Sequence, residues 1–294
     1  MLRQRDRVAV CAIMKNEGPY LAEWAAHYHL LGFDRILVYD NDSTDETRSL
    51  LAALQDHGIL QGISWPSRDH KNPQTAAYED ALSMIRGDCD WALFIDADEF
   101  LVLKRDDTVW EFTESFSPLV GRVVVNWLCF GSSGRLAKGS GLVTERFVLA
   151  SHPTFAANFH VKTFVRPNFV KAMGVHAPET DGITVSPGGA RVELRDETFT
   201  PTVELSIAQI NHYFTKSQVE YGHKARRGES TVNQSAPGKF DKYSEGLFNF
   251  HDRNDRADPS ASRYVGGIRD LLAAWSAWLP FDERNPSSQT GLDG

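Results

Sequence analysis

The chain of 294 residues is poor in cysteine, has no excess of positive charge and has no long apolar run. Its three cysteines, Cys11, Cys89 and Cys129, are an odd number, widely spaced and set in apolar stretches. That pattern suits reduced core thiols and argues against a disulfide frame or a cysteine-rich zinc site, so a reducing compartment, the cytoplasm, is expected. Lys and Arg number 31 against 39 Asp and Glu, a net charge of −8; wholesale nucleic-acid binding is not expected of such a chain. No stretch approaches the ~18 apolar residues of a membrane-spanning helix, which leaves peripheral contact, at the inner face, as the route to a membrane. Arg3, Arg5 and Arg7 precede the apolar run Val8 to Met14 and faintly imitate a signal peptide, but no small-residue cleavage site follows. A first β-strand is the better reading. There is no internal repeat or low-complexity tract, and 41% hydrophobic with 24% charged residues is enough to bury a sizeable core.

The first hundred residues alternate short apolar runs with helix-period segments, the signature of βαβ units and a mostly parallel sheet. Strands are predicted at Val8 to Met14, Ile36 to Tyr39, Ile59 to Ser64 and Trp91 to Ile95. Helices are predicted from Tyr20 to a C-cap at Gly32, from a Ser43/Glu46 capping box to Gly58, and from Pro73 to Gly87. Beyond residue 115 the regularity weakens. Val123 to Phe130 reads as a strand, Gly131 to Gly134 as a flexible loop, Thr144 to Ala150 as a short helix, and Pro187-Gly188-Gly189 as an exposed hairpin or lid. The predicted organisation is a main domain over 1–228, in two halves, 1–115 and 116–228. An extension over 229–294 follows, its turn-rich tail mobile from about Asn285.

Chemistry concentrates where acidic runs follow predicted strands, because ligands of open α/β sheets bind at the carboxyl ends of strands. Asp96-Ala97-Asp98-Glu99 puts three carboxylates within four positions after the fourth strand. Like charges that close need a cation, and a D-x-D pair can hold Mn²⁺ or Mg²⁺ through oxygen while leaving positions open for a diphosphate. A solvated acidic turn is the bland alternative. Context favours the cation: Asp40-Asn41-Asp42 follows the second strand, with short polar groups suited to a nucleobase or ribose edge, and Lys15-Asn16-Glu17 closes the first.

Taken in order, Met14-Lys15-Asn16-Glu17-Gly18-Pro19-Tyr20, Asn41-Asp42-Ser43-Thr44-Asp45, Asp96-Ala97-Asp98-Glu99-Phe100, Asn126-Trp127, Phe130-Gly131-Ser132-Ser133-Gly134, Lys162, Arg166-Pro167 and His212-Tyr213-Phe214-Thr215-Lys216-Ser217 resemble the family 2-like and family 92-like glycosyltransferases of the GT-A fold. The resemblance covers about residues 8 to 228. It implies a GT-A-like, Rossmann-type sheet flanked by helices, an irregular acceptor half and a helical C-terminal extension. It further implies a hexosyltransferase that uses a nucleotide-sugar, usually a UDP-sugar, with a divalent metal at the D-x-D motif and transfer to a hydroxyl of a glycan or lipid-linked acceptor, with inversion.

The resemblance also implies residue roles. Asp98 is the first choice as metal ligand, Asp96 lies beside the metal or the ribose, and His212 is the further ligand from the later half; a hydrogen-bonded structural histidine is the alternative. Charge growing on the departing diphosphate calls for cations, which Lys216, Lys224 and Lys162 could supply, as could Arg166. For the general base that inversion needs, Glu145 is the candidate, with Asp181 and Glu179 as competitors. Trp127 could lie against a sugar ring or be core. The segment Leu271 to Leu279, with Trp275 and Trp278, either lies on a membrane surface or packs on its own domain. Two other classes stay open: a D-x-D phosphatase with Asp96 as nucleophile, disfavoured by Glu99 where Thr or Val is usual, and a non-catalytic sugar- or nucleotide-binding module. The sequence leaves the sugar, the base, the acceptor and the oligomeric state unassigned.

Overall fold

The computed structural model describes residues 5–227 and 243–280. Strand β1 (Val8–Met14) is apolar throughout and buried on both faces, as a central strand covered by helices must be. Its alternate residues divide between two cores: Val8, Val10, Ala12 and Met14 on one side, Ala9, Cys11 and Ile13 on the other. Helices α1 (Gly18–Leu30) and α2 (Thr47–Asp56) cover the first side and α3 (Pro73–Ile85) the second. Between them run β2 (Arg35–Asp40), β3 (Gln61–Ser64) and β4 (Trp91–Phe94), all parallel, in the order β3-β2-β1-β4. Met14, Asp40 and Ser64 share one register level, so the polar residues after β1 and β2 emerge at the same edge.

The second half changes direction. After β5 (Glu99–Leu103), α4 (Val109–Glu114) and β6 (Val120–Cys129) come α5 (Val143–Arg146), the short β7 (Leu149–Ala150) and β8 (Val161–Val165). Strand β8 lies antiparallel between β4 and β6. The short strands β9 (Val170–Ala172) and β10 (Glu179–Thr180) pair with each other, and β11 (Ile183–Val185) runs parallel to β6. Strand β12 (Ala208–His212) is parallel to β6 and antiparallel to β5, which closes the sheet order with β8-β6-β12-β5. The predicted α/β class, with a mostly parallel sheet flanked by helices, is what forms.

Two local expectations fail. Helix α2 starts at Thr47, and no capping box forms: the Ser43 hydroxyl instead accepts from Asn16 N at 2.9 Å, while Asp45 Oδ1 takes the Thr47 amide and hydroxyl at 3.0 and 2.6 Å. The Gly131 to Gly134 loop is pinned. A Cβ at Gly131 would lie 2.4 Å from Arg253 O, and the Ser132 and Ser133 amides donate to the side chains of Asp252 and Asn254 at 2.5 and 2.8 Å.

The segment over 243–280 is built into the main core and does not stand apart. It contains α7 (Glu245–His251), β13 (Arg256–Ala257), which pairs with β7, and α8 (Ser262–Trp275). Helix α8 sends Tyr264, Ile268 and Trp275 into the larger core and packs along α1. Trp275 meets His29, and Trp278 stacks on His57 at 3.9 Å, so both indoles pack on their own domain. No helix among the described residues is long and apolar enough to cross a membrane. The tail from residue 285 lies outside the described residues.

Candidate active site

The turn between β4 and β5 carries Asp96 and Asp98, and their surroundings separate their roles. Asp96 Oδ1 accepts from Gln74 Nε2 at 2.8 Å and, more weakly, from Tyr78 OH at 3.4 Å, both on α3. Its Oδ2 pairs with Lys162 Nζ at 2.9 Å. Lys162 is fully buried on β8, where it also lies 3.5 Å from Glu99 Oε2. Burial alone would lower the Lys162 pKa, but Asp96 and Glu99 raise it, so the ammonium stays charged. Glu99 is no ligand for a cation in the crevice. Its side chain is wholly buried and its Oε2 takes the Asp96 amide at 2.9 Å; burial pushes its carboxyl up against the pull of Lys162, with Asp96 and Asp98 adding to the rise.

Asp98 is buried among positive charge. Its Oδ2 accepts from Lys224 on α6 (Gln218–Arg227) and lies 3.8 Å from His212 Nε2 at the end of β12. Burial would raise the carboxyl, yet the Lys224 ammonium, with Lys216 further off, holds it well below the usual carboxylate range. His212 itself is driven far down by burial and stays neutral despite Asp98, and its buried Nδ1 has no hydrogen-bond partner among the described residues. Lys224 also donates to Phe214 O at 3.2 Å and lies 3.9 Å over the Phe214 ring. Lys216 holds a left-handed backbone, φ 48°, with its ammonium 4.3 Å over the Tyr20 ring.

A divalent cation fits this donor set in part. With metal–ligand bonds of about 2.1 Å, two ligands of one ion can be up to about 4.2 Å apart, which the 3.8 Å between Asp98 and His212 satisfies. The Lys224 ammonium stands on Asp98 as a positive charge of the kind the carboxylate demands. Asp96 is committed to Lys162, Gln74 and Tyr78. Among the described residues no group of three His, Cys, Asp or Glu side chains is arranged as a metal site, so a cation here needs oxygens from its ligand to complete its shell.

The other nominated residues fall into two sets. The loops after β1 and β2 lock each other: Asn16 Oδ1 accepts from Thr44 N at 2.7 Å, the Glu17 amide donates to Thr47 Oγ1 at 2.9 Å, and Lys15 precedes them at the same edge. Asp40 takes the Ser43 amide and pairs with Arg48 at 2.7 Å, while buried Asn41 donates to Trp65 O and Ser67 Oγ. Asp42 accepts from the Ser67 amide at 2.8 Å. These groups form a rigid wall of the crevice.

The three candidate bases are not brought to it. Glu145 caps α5 through the Leu142 amide and pairs with Arg269 of α8 at 2.8 Å. Asp181 is exposed and paired with Lys171 at 2.5 Å, and Glu179 is exposed on β10. Each is held by a local cation or cap, or lies in solvent, outside the Asp96–Asp98 cluster. Arg166 is likewise at the wrong end: β8 runs antiparallel to β4, so Arg166 lies beyond Val165, 4.2 Å over the Trp91 ring, while Lys162 lies beside Asp96.

Sequence reasoning missed the aromatic surroundings. Trp127 is buried, so it offers no broad sugar face; His160 stacks on it at 4.7 Å, with His212 at 4.2 Å and His176 at 5.5 Å. Burial, with Lys162 nearby, keeps His160 and His176 neutral. No short-range spacing signals this cluster, since its members come from separate strands and loops.

The sequence model of glycosyltransferase family 92 matches residues 6–247. A family 92 protein of Oryza sativa subsp. japonica is 27% identical over 170 residues, 56% of this chain and 28% of its own length; one of Arabidopsis thaliana is 23% identical over 234 residues, 76% of this chain and 37% of its own. The chain thus spans about a third of the length of these curated relatives. Among solved structures it is similar to S. aureus TarS residues 1–349, at a TM-score of 0.37 and 11% identity over 93% of this chain and 81% of that one. It is also similar to glucosyl-3-phosphoglycerate synthase of Mycobacterium tuberculosis in complex with Mn²⁺, UDP-glucose and phosphoglyceric acid, at a TM-score of 0.34 and 17% identity over 65% and 72% of the two chains. With the family model covering most of its length and the acidic turn set at the carboxyl edge of the sheet, the chain belongs to glycosyltransferase family 92.

Proposed function

We propose that this chain is a metal-dependent glycosyltransferase of GT-A type, which moves a hexose from a nucleotide-sugar, a UDP-sugar first, to a hydroxyl of a glycan or lipid-linked acceptor with inversion. One observation carries this reading. Asp98 is a buried carboxylate kept ionised by Lys224 and Lys216, with the neutral imidazole of His212 3.8 Å away, at the carboxyl edge of a parallel sheet. Burying that charge costs several kcal/mol, which a structural turn has no need to bear and a cation–diphosphate site does.

In this reading Asp98 and His212 hold Mn²⁺ or Mg²⁺, which when bound offsets the charge on the departing diphosphate. Lys224 and Lys216 face the same charge. Lys162 fixes Asp96, and the loops carrying Lys15, Asn16, Glu17, Asp40, Asn41 and Asp42 wall the nucleotide side. Buried free Cys11, Cys89 and Cys129 support a reducing compartment, the cytoplasm.

The test is the thermal midpoint of the purified protein with UDP, GDP, CMP and dTDP-sugars, each with and without Mn²⁺, since a ligand of the native state raises stability by mass action. A metal-dependent rise with one nucleotide supports the reading. No shift with any nucleotide, together with hydrolysis of a phosphate ester, overturns it in favour of a phosphatase.

A further inference from the structure

Glu220 makes more bonds than a helix cap requires. It accepts from the Ser217 amide at 3.1 Å and donates its own amide to Ser217 Oγ at 3.3 Å, a reciprocal capping box that starts α6. The same carboxylate takes both terminal nitrogens of Arg146, on α5, at 2.9 Å each, and the Tyr20 hydroxyl, on α1, at 2.8 Å. One side chain therefore ties three helices together. The Arg146 and Glu220 side chains are only 3% and 4% exposed, and although burial would raise the Glu220 carboxyl, Arg146 and Ser217 hold it below its ordinary value.

A buried ion pair is weak evidence for stability, because desolvation offsets most of its attraction; what a bidentate pair does supply is direction. The direction matters here because Lys224 follows Glu220 by four residues, one turn further along the same face of α6, and reaches Asp98. We infer that Glu220 is a positioning residue: held by Arg146 and Tyr20, it fixes the first turn of α6 so that the Lys224 ammonium stands at the Asp98 carboxylate, where a nucleotide diphosphate would arrive. This rests on the nucleotide-sugar reading above and adds to it a group that touches neither cation nor nucleotide.

The experiment is calorimetric titration of UDP and of uridine, both with Mn²⁺, into the whole chain as wild type, Glu220→Gln, Tyr20→Phe, Lys224→Ala and the Glu220→Gln/Lys224→Ala double variant. Glu220→Gln and Lys224→Ala should each weaken UDP about tenfold, as loss of one charge-assisted contact does, and Tyr20→Phe should weaken it about threefold. Uridine, lacking the diphosphate, should bind all of them alike. The double variant should be no weaker than Lys224→Ala, because a residue acting through another is not additive with it. Additive losses, or equal losses for uridine, would reduce Glu220 to a structural role. If Glu220→Gln does not fold, Tyr20→Phe decides: UDP affinity equal to wild type overturns the proposal. Unchanged UDP affinity in Lys224→Ala would instead remove Lys224 from the nucleotide site, and the positioning role with it.

Discussion

Two acidic runs close the strands on either side of β1, Asp40 to Asp45 after β2 and Asp96 to Glu99 after β4, and they are neutralised by different means. In the first, Asp40, Asp42 and Asp45 accept mainly from the amides of Ser43, Ser67 and Thr47, and Arg48 adds a half-exposed partner. In the second, Asp96 pairs with buried Lys162 and Asp98 with the largely covered Lys224, beside the neutral imidazole of His212. Amides satisfy a carboxylate where it stands and shape a loop. Buried cations leave a site whose charge balance a metal and a diphosphate can take over. An acidic run after a strand is therefore not a ligand site by itself; what distinguishes the two is the source of the compensating charge.

Four perturbations should break or sharpen that contrast. The largest effect is expected from Lys162→Met, which strands Asp96 and Glu99 without their buried counter-ion; breaking such a pair costs about 3–5 kcal/mol, to be read as a lower urea midpoint. A cost under about 1 kcal/mol would mean that Lys162 is not holding the second run together.

Acidification comes next. His27 donates to Leu101 O of β5 at 2.8 Å, and burial lowers its pKa from 6.5 to about 4. A histidine kept neutral by the fold contributes stability that is fully present above pH 6.5 and lost as pH falls towards 4. At about 1.4 kcal/mol per unit this is worth about 3 kcal/mol. Native-state hydrogen exchange should show the β5 amides losing protection over that window sooner than those of β2, and His27→Gln should flatten the dependence. Uniform loss at both strands would contradict the local origin.

Asp98→Asn should then reduce metal-dependent nucleotide turnover by about a hundredfold or more and lower the thermal midpoint of the free protein, since it takes from Lys224 the carboxylate that Lys224 holds ionised. The smallest effect belongs to the first run: Ser43→Ala, which deletes the acceptor of the Asn16 amide, should cost about 1 kcal/mol and leave UDP affinity intact. A tenfold loss of UDP binding in that variant would erase the contrast between the two runs.

The first half of the fold was legible because its signals are local. Short continuous apolar runs set β1, β2 and β4, and Pro73 marks the start of α3, which Asn72 Oδ1 caps at Thr75 N. The start of α2 departs from its local signal because the Ser43/Glu46 spacing caps a helix only if the serine is free, and a tertiary contact from Asn16 claims it. At the site, Asp98, His212 and Lys224 were legible as residue types, but their neighbours were not. Lys162 meets Asp96 across 66 residues, and Arg146 meets Glu220 across 74, separations over which no periodicity reports. Glu145, a base candidate by its place in the chain, is paired with Arg269 of α8.

The central claim is that Asp98 is the carboxylate through which a divalent cation and a nucleotide diphosphate bind together. Its most direct test is Mn²⁺ binding followed by electron paramagnetic resonance, with and without UDP, in wild type and Asp98→Asn. The wild-type chain should take up Mn²⁺, more tightly with UDP, and Asp98→Asn should do neither. Equal uptake by both proteins would contradict it and place the metal elsewhere.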